Sequence, residues 1–257
     1  MNISILGSGL LGSAAVERLL AQGHALTVWN RDASKSAALV ERGAVQAHSA
    51  AEALAASRIS LLFLTDHAAI EALLLNAETR PALAGRLVIN MGTISPADSL
   101  ALASALREQG ADYAECPVLG SLPEARSGTL ILMFGGTSAQ FDELAPLLRS
   151  LGSEPRHIGS VGQAAALKLA MNQLIASETA AFAMSLALVQ AHGVAVEDFM
   201  QVLRGSALYA PTFDKKLDRM LLAANLQHIA KEGHGQEDYC VLQLGFKPTQ
   251  PRGLDEA

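Results

Sequence analysis

Apolar and polar positions change period repeatedly along this chain, and the changes mark out elements. Ile3 and Ile5 alternate into a short strand that runs through glycines into a helix over residues 14–22. A strand over 25–29 and a helix over 33–42 follow. Next come a helix over 51–56, a buried strand over 59–64 and a helix over 68–76. A strand over 87–90 precedes a helix that Pro96 opens and that runs to Gln109. Residues 122–127 lead into a strand over 129–134, a Gly135-Gly136 turn and an amphipathic helix over 139–151. Apolar strands alternating with helices predict a parallel sheet covered on both faces, an α/β architecture.

From Gly162 to about His192 the pattern changes to one long alanine-rich helix, apolar nearly all round. Such a helix is expected to be buried on most sides, as where two domains join. Beyond Gly193 the chain reads as helical, over 195–203 and 213–225, with 226–231 either continuing the last helix or standing apart. The tail 245–257, with Pro248, Pro251 and Gly253, reads as a poorly ordered terminus. The expected organisation is a sheet domain over 1–160, a long interdomain helix, and an all-α C-terminal domain over 161–257. The boundary is expected near 157–162.

Composition narrows the class. Half of the residues are hydrophobic and only 4% are aromatic, which favours helix-rich α/β layering over a β-sandwich. A net charge of −6 gives no reason to expect nucleic acid or a membrane surface as partner. Cys116 and Cys240 are too few for a disulfide framework. No basic leader precedes the first strand, and no apolar run of spanning length lacks polar interruption, so a soluble cytoplasmic protein is expected.

The richest chemistry lies at the start. Gly7-Ser8-Gly9-Leu10-Leu11-Gly12 joins strand to helix with the spacing of a dinucleotide-binding turn. The first glycine makes the tight turn, the second lets backbone approach a pyrophosphate, and the third lets helix and strand pack closely. Amides at the helix N-terminus then face the phosphates, aided by the macrodipole. That makes the sheet domain Rossmann-like. After the second strand stand Asn30 and Arg31, where a carboxylate would select the ribose hydroxyl of NAD. Arginine offers a charged fork suited to a 2′-phosphate, so NADP(H) is preferred and NAD(H) remains possible. Asp32 is either a carboxylate for the ribose hydroxyl of NAD or a turn or cap before the helix over 33–42. Leu64, Thr65 and Thr93 follow later strands at their carboxyl ends, where ligands of such sheets sit.

Two further clusters stand out. Gly120 and Ser121 end a segment beginning at Cys116, and could present amides and a hydroxyl to a small polar ligand; Cys116 itself reads as a small buried hydrophobe. Lys168 and Asn172 share one face of the long helix. The lysine is either an acid/base with a movable pKa or a surface residue lying along the helix.

Taken together, Gly7–Gly12 with Asn30-Arg31, Cys116-Pro-Val-Leu-Gly-Ser121 leading to Ser127-Gly-Thr-Leu130, Gly159-Ser-Val-Gly162, and Lys168 with Asn172 resemble the β-hydroxyacid dehydrogenase family over residues 1–220. That family includes 3-hydroxyisobutyrate dehydrogenases and glyoxylate/succinic semialdehyde reductases. The resemblance implies hydride transfer between a nicotinamide and a small hydroxy or oxo acid or aldehyde-acid. It makes Lys168 the acid/base, places Asn172 at the reacting oxygen, and gives substrate binding to Leu119, Gly120 and Ser121. It implies an Asn-Arg pair of the NADP-preferring branch, a cofactor contact at Thr93, no metal, and a homodimer or homotetramer.

Three departures from the family pattern are visible. Leu119 stands where the substrate loop usually carries serine, and Ser121 is the nearest replacement hydroxyl. Ala164 stands where a second glycine is common. The Lys-Asp-Leu motif of a C-terminal helix is absent after 213–220, and 233–239 instead resembles the family's final helix. The expectation is therefore a C-terminal domain shortened by one helix near 220–225. Lys215, Lys216 and Lys231 receive no role. A catalytically impaired NADP-binding homologue and an imine reductase are the alternatives, the latter disfavoured by Lys168.

Overall fold

The computed structural model describes the backbone of residues 1–225 and the side chains of residues 1–221. The expectations for 226–231, 233–239, Lys231, Cys240 and the tail lie outside the described residues. The chain divides into two compact units, Met1–Ala170 and Met171–Ala257.

In the first unit β1 (Asn2–Leu6), α1 (Leu10–Ala21) and β2 (Ala25–Trp29) form the opening βαβ. A 3₁₀ turn (Ala33–Ser36), α2 (Ala37–Val40) and a two-residue β3 (Val45–Gln46) follow. Then come α3 (Ala50–Ala56), β4 (Ile59–Leu62), α4 (His67–Leu74), β5 (Leu87–Asn90) and α5 (Pro96–Glu108). The unit continues with β6 (Asp112–Glu115), β7 (Val118–Leu119), α6 (Leu122–Ser127), β8 (Ile131–Gly135), α7 (Ser138–Leu151) and β9 (Arg156–Gly159). Capping residues fix the helix starts. The Ser49, Asp66, Ser95 and Thr137 side chains accept backbone N–H groups at the N-termini of α3, α4, α5 and α7.

The strand order is β3-β2-β1-β4-β5-β6-β8-β7, with β9 beside β8. The first six strands of that order are parallel, as the pattern predicts. Both β6 and β7 pair with β8 antiparallel, so the sheet is mixed rather than wholly parallel. The β7–β8 connection has a physical reason: it is shorter than the roughly dozen or more residues a parallel crossover needs. Alternate strand residues feed two cores. Ile3, Ile5 and Leu61 pack with Val16, Leu19 and Leu148 on one face, and Leu6, Leu62 and Val88 with Leu54, Ile70 and Leu106 on the other.

Helix α8 (Gln163–Ala191) is continuous, and the division between units falls inside it, beyond the expected 157–162. Its first turn belongs to the sheet unit because Ala164 and Ala165 are buried there. The expectation that α8 is buried on most sides needs correction. Only 22% of its most apolar stretch is buried, and Leu174, Met184 and Leu188 are 54%, 51% and 61% exposed. By length and composition alone α8 could cross a membrane. Its helical partners explain the buried part: in the second unit Phe182 and Leu186 pack with Met200 of α9 (Val196–Arg204) and with Phe213 and Met220 of α10 (Pro211–Asn225). Phe182 stacks on Phe213 at 4.8 Å between ring centroids.

Candidate functional site

Parallel pairing brings the predicted loops to one edge of the sheet. Leu6 registers with Trp29 and Leu62, Leu62 with Asn90, and Asn90 with Glu115. The segments carrying Gly7–Gly12, Asn30-Arg31, Leu64-Thr65 and Thr93 therefore all leave the same carboxyl edge. Strands β1 and β4, where the order reverses, flank the topological switch point at which such sheets bind ligands.

The glycine turn divides its tasks by geometry. Gly7 has φ +105°, and a Cβ there would lie 2.3 Å from the Phe63 carbonyl oxygen. A Cβ on Gly12 would lie 2.0 Å from the Gly7 carbonyl oxygen, so helix and turn close on each other. A Cβ on Gly9 meets nothing within 4 Å. Gly9 is also the N-cap of α1, and no side chain caps that helix. A buried glycine frame with an open middle position and an uncapped helix start fits a dinucleotide pyrophosphate. Leu10 is 79% exposed at this helix start, whereas Ser8 is buried with its hydroxyl 2.9 Å from the Ser36 hydroxyl.

Asn30 holds the turn to the end of β2. Its Oδ1 accepts the Ser8 N–H at 3.1 Å, and its Nδ2 donates to the Asp32 carbonyl oxygen at 2.9 Å. Asp32 is exposed, and its side chain caps the 3₁₀ turn. Its Oδ1 accepts the Ser34 N–H and hydroxyl at 3.1 and 2.6 Å, and these bonds lower its pKa. Of the two roles open to Asp32, the cap is the one observed. Arg31 is exposed and lines a cleft of about 460 Å³ with Trp29, Asn30, Gln46 and His48.

Leu64 reaches Gly7, where its Cδ2 would contact an added Cβ at 3.3 Å. Thr65 is exposed and donates to Asp66 at 3.1 Å. Thr93 is half-buried one residue past Gly92, whose N–H is held by Asn90 Oδ1 at 2.9 Å.

The expected substrate loop follows β7. Leu119 is half-buried and Gly120, at φ +123°, is exposed. Ser121 does not present a free hydroxyl: its N–H and its Oγ both donate to Glu124 Oε2 at 2.8 Å. The helix after the loop, α6, packs on α1, and Arg126 bridges to Glu17 of α1 at 3.3 Å. Cys116 is fully buried, and desolvation together with the neighbouring Glu115 pushes its thiol pKa up, so it is an inert core residue.

Lys168 is half-buried on α8, and burial lowers its pKa. Asn172, also half-buried, lies four residues on in the same helix, past the division between the units. In the second unit Asp214, beside Lys215 and Lys216, is engaged by Arg204 at 2.8 Å and by the Tyr209 hydroxyl at 2.5 Å.

Sequence reasoning passed over Glu115. This carboxylate is 1% exposed, and its Oε1 accepts the Gly162 and Ala165 N–H groups at 2.8 and 2.9 Å. No local signal marks it: Asp112 and Glu115 both lie in the same four-residue strand, and only the distant amides of Gly162 and Ala165 set Glu115 apart.

Residues 2–185 match the NAD-binding domain of 6-phosphogluconate dehydrogenase. The chain is 32% identical over 218 residues to glyoxylate/succinic semialdehyde reductase 1 of Arabidopsis thaliana, covering 84% of this chain and 75% of that protein. An imine reductase of Myxococcus stipitatus solved with NADP⁺ is 26% identical, with a TM-score of 0.72 over 88% of this chain and 77% of its own. The Mycobacterium tuberculosis 3-hydroxyisobutyrate dehydrogenase shares the fold, with a TM-score of 0.77 at 20% identity over 95% and 91% of the two chains.

Proposed function

The chain belongs to the β-hydroxyacid dehydrogenase family, an NAD(P)-dependent oxidoreductase family, and we propose that it is an NADPH-dependent reductase of small oxo acids or aldehyde-acids. The observation that carries the reading is the cradle at Gly7–Gly12: rigid at its two ends, open at Gly9 and uncapped at the helix start. When bound there, the nicotinamide cofactor supplies or accepts hydride.

The remaining work falls to the chain's own residues. Arg31, exposed at the end of β2, supplies the charge that selects a 2′-phosphate, while Asp32 is turned away into its own cap. Lys168 as the ammonium gives a proton to the oxygen of the reduced carbonyl, and as the amine takes one in the reverse direction. Burial lowers its pKa from the ordinary lysine value, which brings both forms closer to working pH. Asn172, one helical turn away, is assigned the hydrogen bond that orients the substrate oxygen. In the substrate loop Leu119 and the amide of Gly120 do the positioning, since the N–H and the hydroxyl of Ser121 are both committed to Glu124. The exposed apolar residues of α8 support a homodimer, in which a second copy covers them.

The test is a titration with NADPH and NADH followed by turnover on glyoxylate, succinic semialdehyde and a cyclic imine, in wild type and Lys168→Ala. NADPH binding with Lys168-dependent oxidation on an oxo acid is expected. Binding without oxidation on any substrate identifies a non-catalytic homologue, and turnover on the imine alone identifies an imine reductase.

A further inference from the structure

We propose that Glu115 is a positioning residue that fixes the first turn of α8, and through it the place of the Lys168 amine. The inference rests on the assignment of Lys168 as acid/base, and its test separates the two.

Helix α8 begins with two anchors of different reach. The local one is a cap in which Gln163 Oε1 accepts the Ser160 N–H at 2.8 Å. The distant one is Glu115, whose Oε1 takes the Gly162 and Ala165 N–H groups from 47 and 50 residues away in the chain. Amides of a first helical turn have no intrahelical acceptor, and a carboxylate there is favoured by both hydrogen bonding and the macrodipole. Buried charge-assisted bonds of this kind are stronger than neutral ones.

The surroundings are built around that carboxylate. Ser99 donates to Oε2, and the Ser99 oxygen lies 3.0 Å from the Tyr113 hydroxyl, itself buried. With the Ser99 proton directed at Glu115, Tyr113 is the donor to Ser99. Every contact to the carboxylate is thus donated to it, which suits an acceptor-only group. Gly135, paired with Glu115 across the sheet, leaves room for it: a Cβ there would lie 2.7 Å from Oε1.

Placement links this cluster to chemistry. Glu115 ends β6 in the row of residues that runs along the cofactor edge, and Cys116-Pro117 carries the chain from it into the substrate loop. Ala165, whose amide it holds, lies three residues before Lys168 and so shares its helix face. Lys168 is about 9 Å along the axis from Gly162 at 1.5 Å per residue. One buried carboxylate therefore ties the sheet edge, the root of the substrate loop and the helix bearing the lysine. An error of 1 Å in the placement of a reacting group can cost on the order of 10²-fold in rate.

The experiment compares wild type with Glu115→Gln, nearly isosteric but neutral, and Gly135→Ala, which keeps the charge and crowds the carboxylate. Two readouts are taken on the full chain: the reductive-methylation rate of Lys168 by mass spectrometry, and kcat, KM and the NADPH Kd. Both variants are expected to change Lys168 labelling by about twofold or more as the first turn opens locally. They are expected to lower kcat about 10- to 100-fold while NADPH Kd stays the same. If Glu115→Gln fails to fold, Ser99→Ala removes only the Oε2 bond and carries the same comparison. Unchanged labelling and kcat in variants that fold overturn the positioning role, as does an effect on NADPH Kd alone. Failure of the acid/base reading shows differently, as wild-type turnover in Lys168→Ala, and leaves the labelling result to decide the role of Glu115.

Discussion

Ser8 and Asn30 are joined by a hydrogen bond of 3.1 Å from the Ser8 amide to the Asn30 side chain, so the phosphate turn and the end of β2 form one piece. The same asparagine holds the Asp32 carbonyl oxygen, and Asp32 in turn caps its own loop. Arg31 is left as the exposed charged side chain between them. The proposed preference for NADPH rests on that division of labour, and can be tested one residue at a time.

Replacing Arg31 by Ala is expected to weaken NADPH about 10- to 100-fold, as fits loss of a hydrogen bond to a charged group worth about 1.5–3 kcal/mol. NADH binding should change little. Isothermal titration with both cofactors checks this, and equal weakening of the two would remove Arg31 from 2′-phosphate recognition.

Gly9 and Gly12 should fail in different ways. Gly9 has φ −68° and open space beyond it, so Gly9→Ala keeps the melting temperature but obstructs the pyrophosphate. A loss of about tenfold in NADPH affinity corresponds to about 1.4 kcal/mol. Gly12→Ala drives a methyl into the Gly7 carbonyl and should cost about 1–3 kcal/mol of stability, as overpacking does. Thermal melts beside NADPH titrations distinguish the two, and matching effects on both readouts would contradict the geometry.

The lowered pKa of Lys168 has a definite sign in catalysis. In the proposed mechanism the ammonium is the acid in reduction, so reductive kcat should be high at low pH and fall as pH rises through the lowered pKa, below the ordinary value of 10.5. A kcat–pH profile measured at saturating NADPH reads this limb directly. A limb at or above 10.5 would place the amine in water.

Cys116 should stay unmodified by a soluble thiol reagent in the native protein and react on unfolding, because its thiol is buried and its pKa raised. Peptide mapping of the Cys116 segment gives the answer, and rapid native labelling would show an accessible site.

Much of the first unit was legible because its signals are local. The glycine spacing, the alternation at Ile3 and Ile5, and the proline that opens α5 at Pro96 all act within a few residues of themselves. The residues carrying the family resemblance likewise lie in contiguous motifs. What escaped notice depends on distant pairing. The two-residue β3 and β7 exist only because β2 and β8 lie beside them, and Glu115 matters through amides 47 and 50 residues away. The Ser121 hydroxyl looked available because a serine in a loop carries no mark of its bond to Glu124. Helix α8 misled in the opposite sense: an apolar helix was expected to be covered, yet Leu174 and Leu188 are exposed.

The central claim is that a bound NADPH and Lys168 act together on a small carbonyl acid. Its most direct measurement is single-turnover oxidation of enzyme-bound NADPH with glyoxylate or succinic semialdehyde, in wild type and Lys168→Ala at equal cofactor occupancy. The account predicts unchanged NADPH binding and a rate lower by about 10²- to 10⁴-fold in the variant, the contribution typical of a general acid. Equal rates in the two proteins would contradict it.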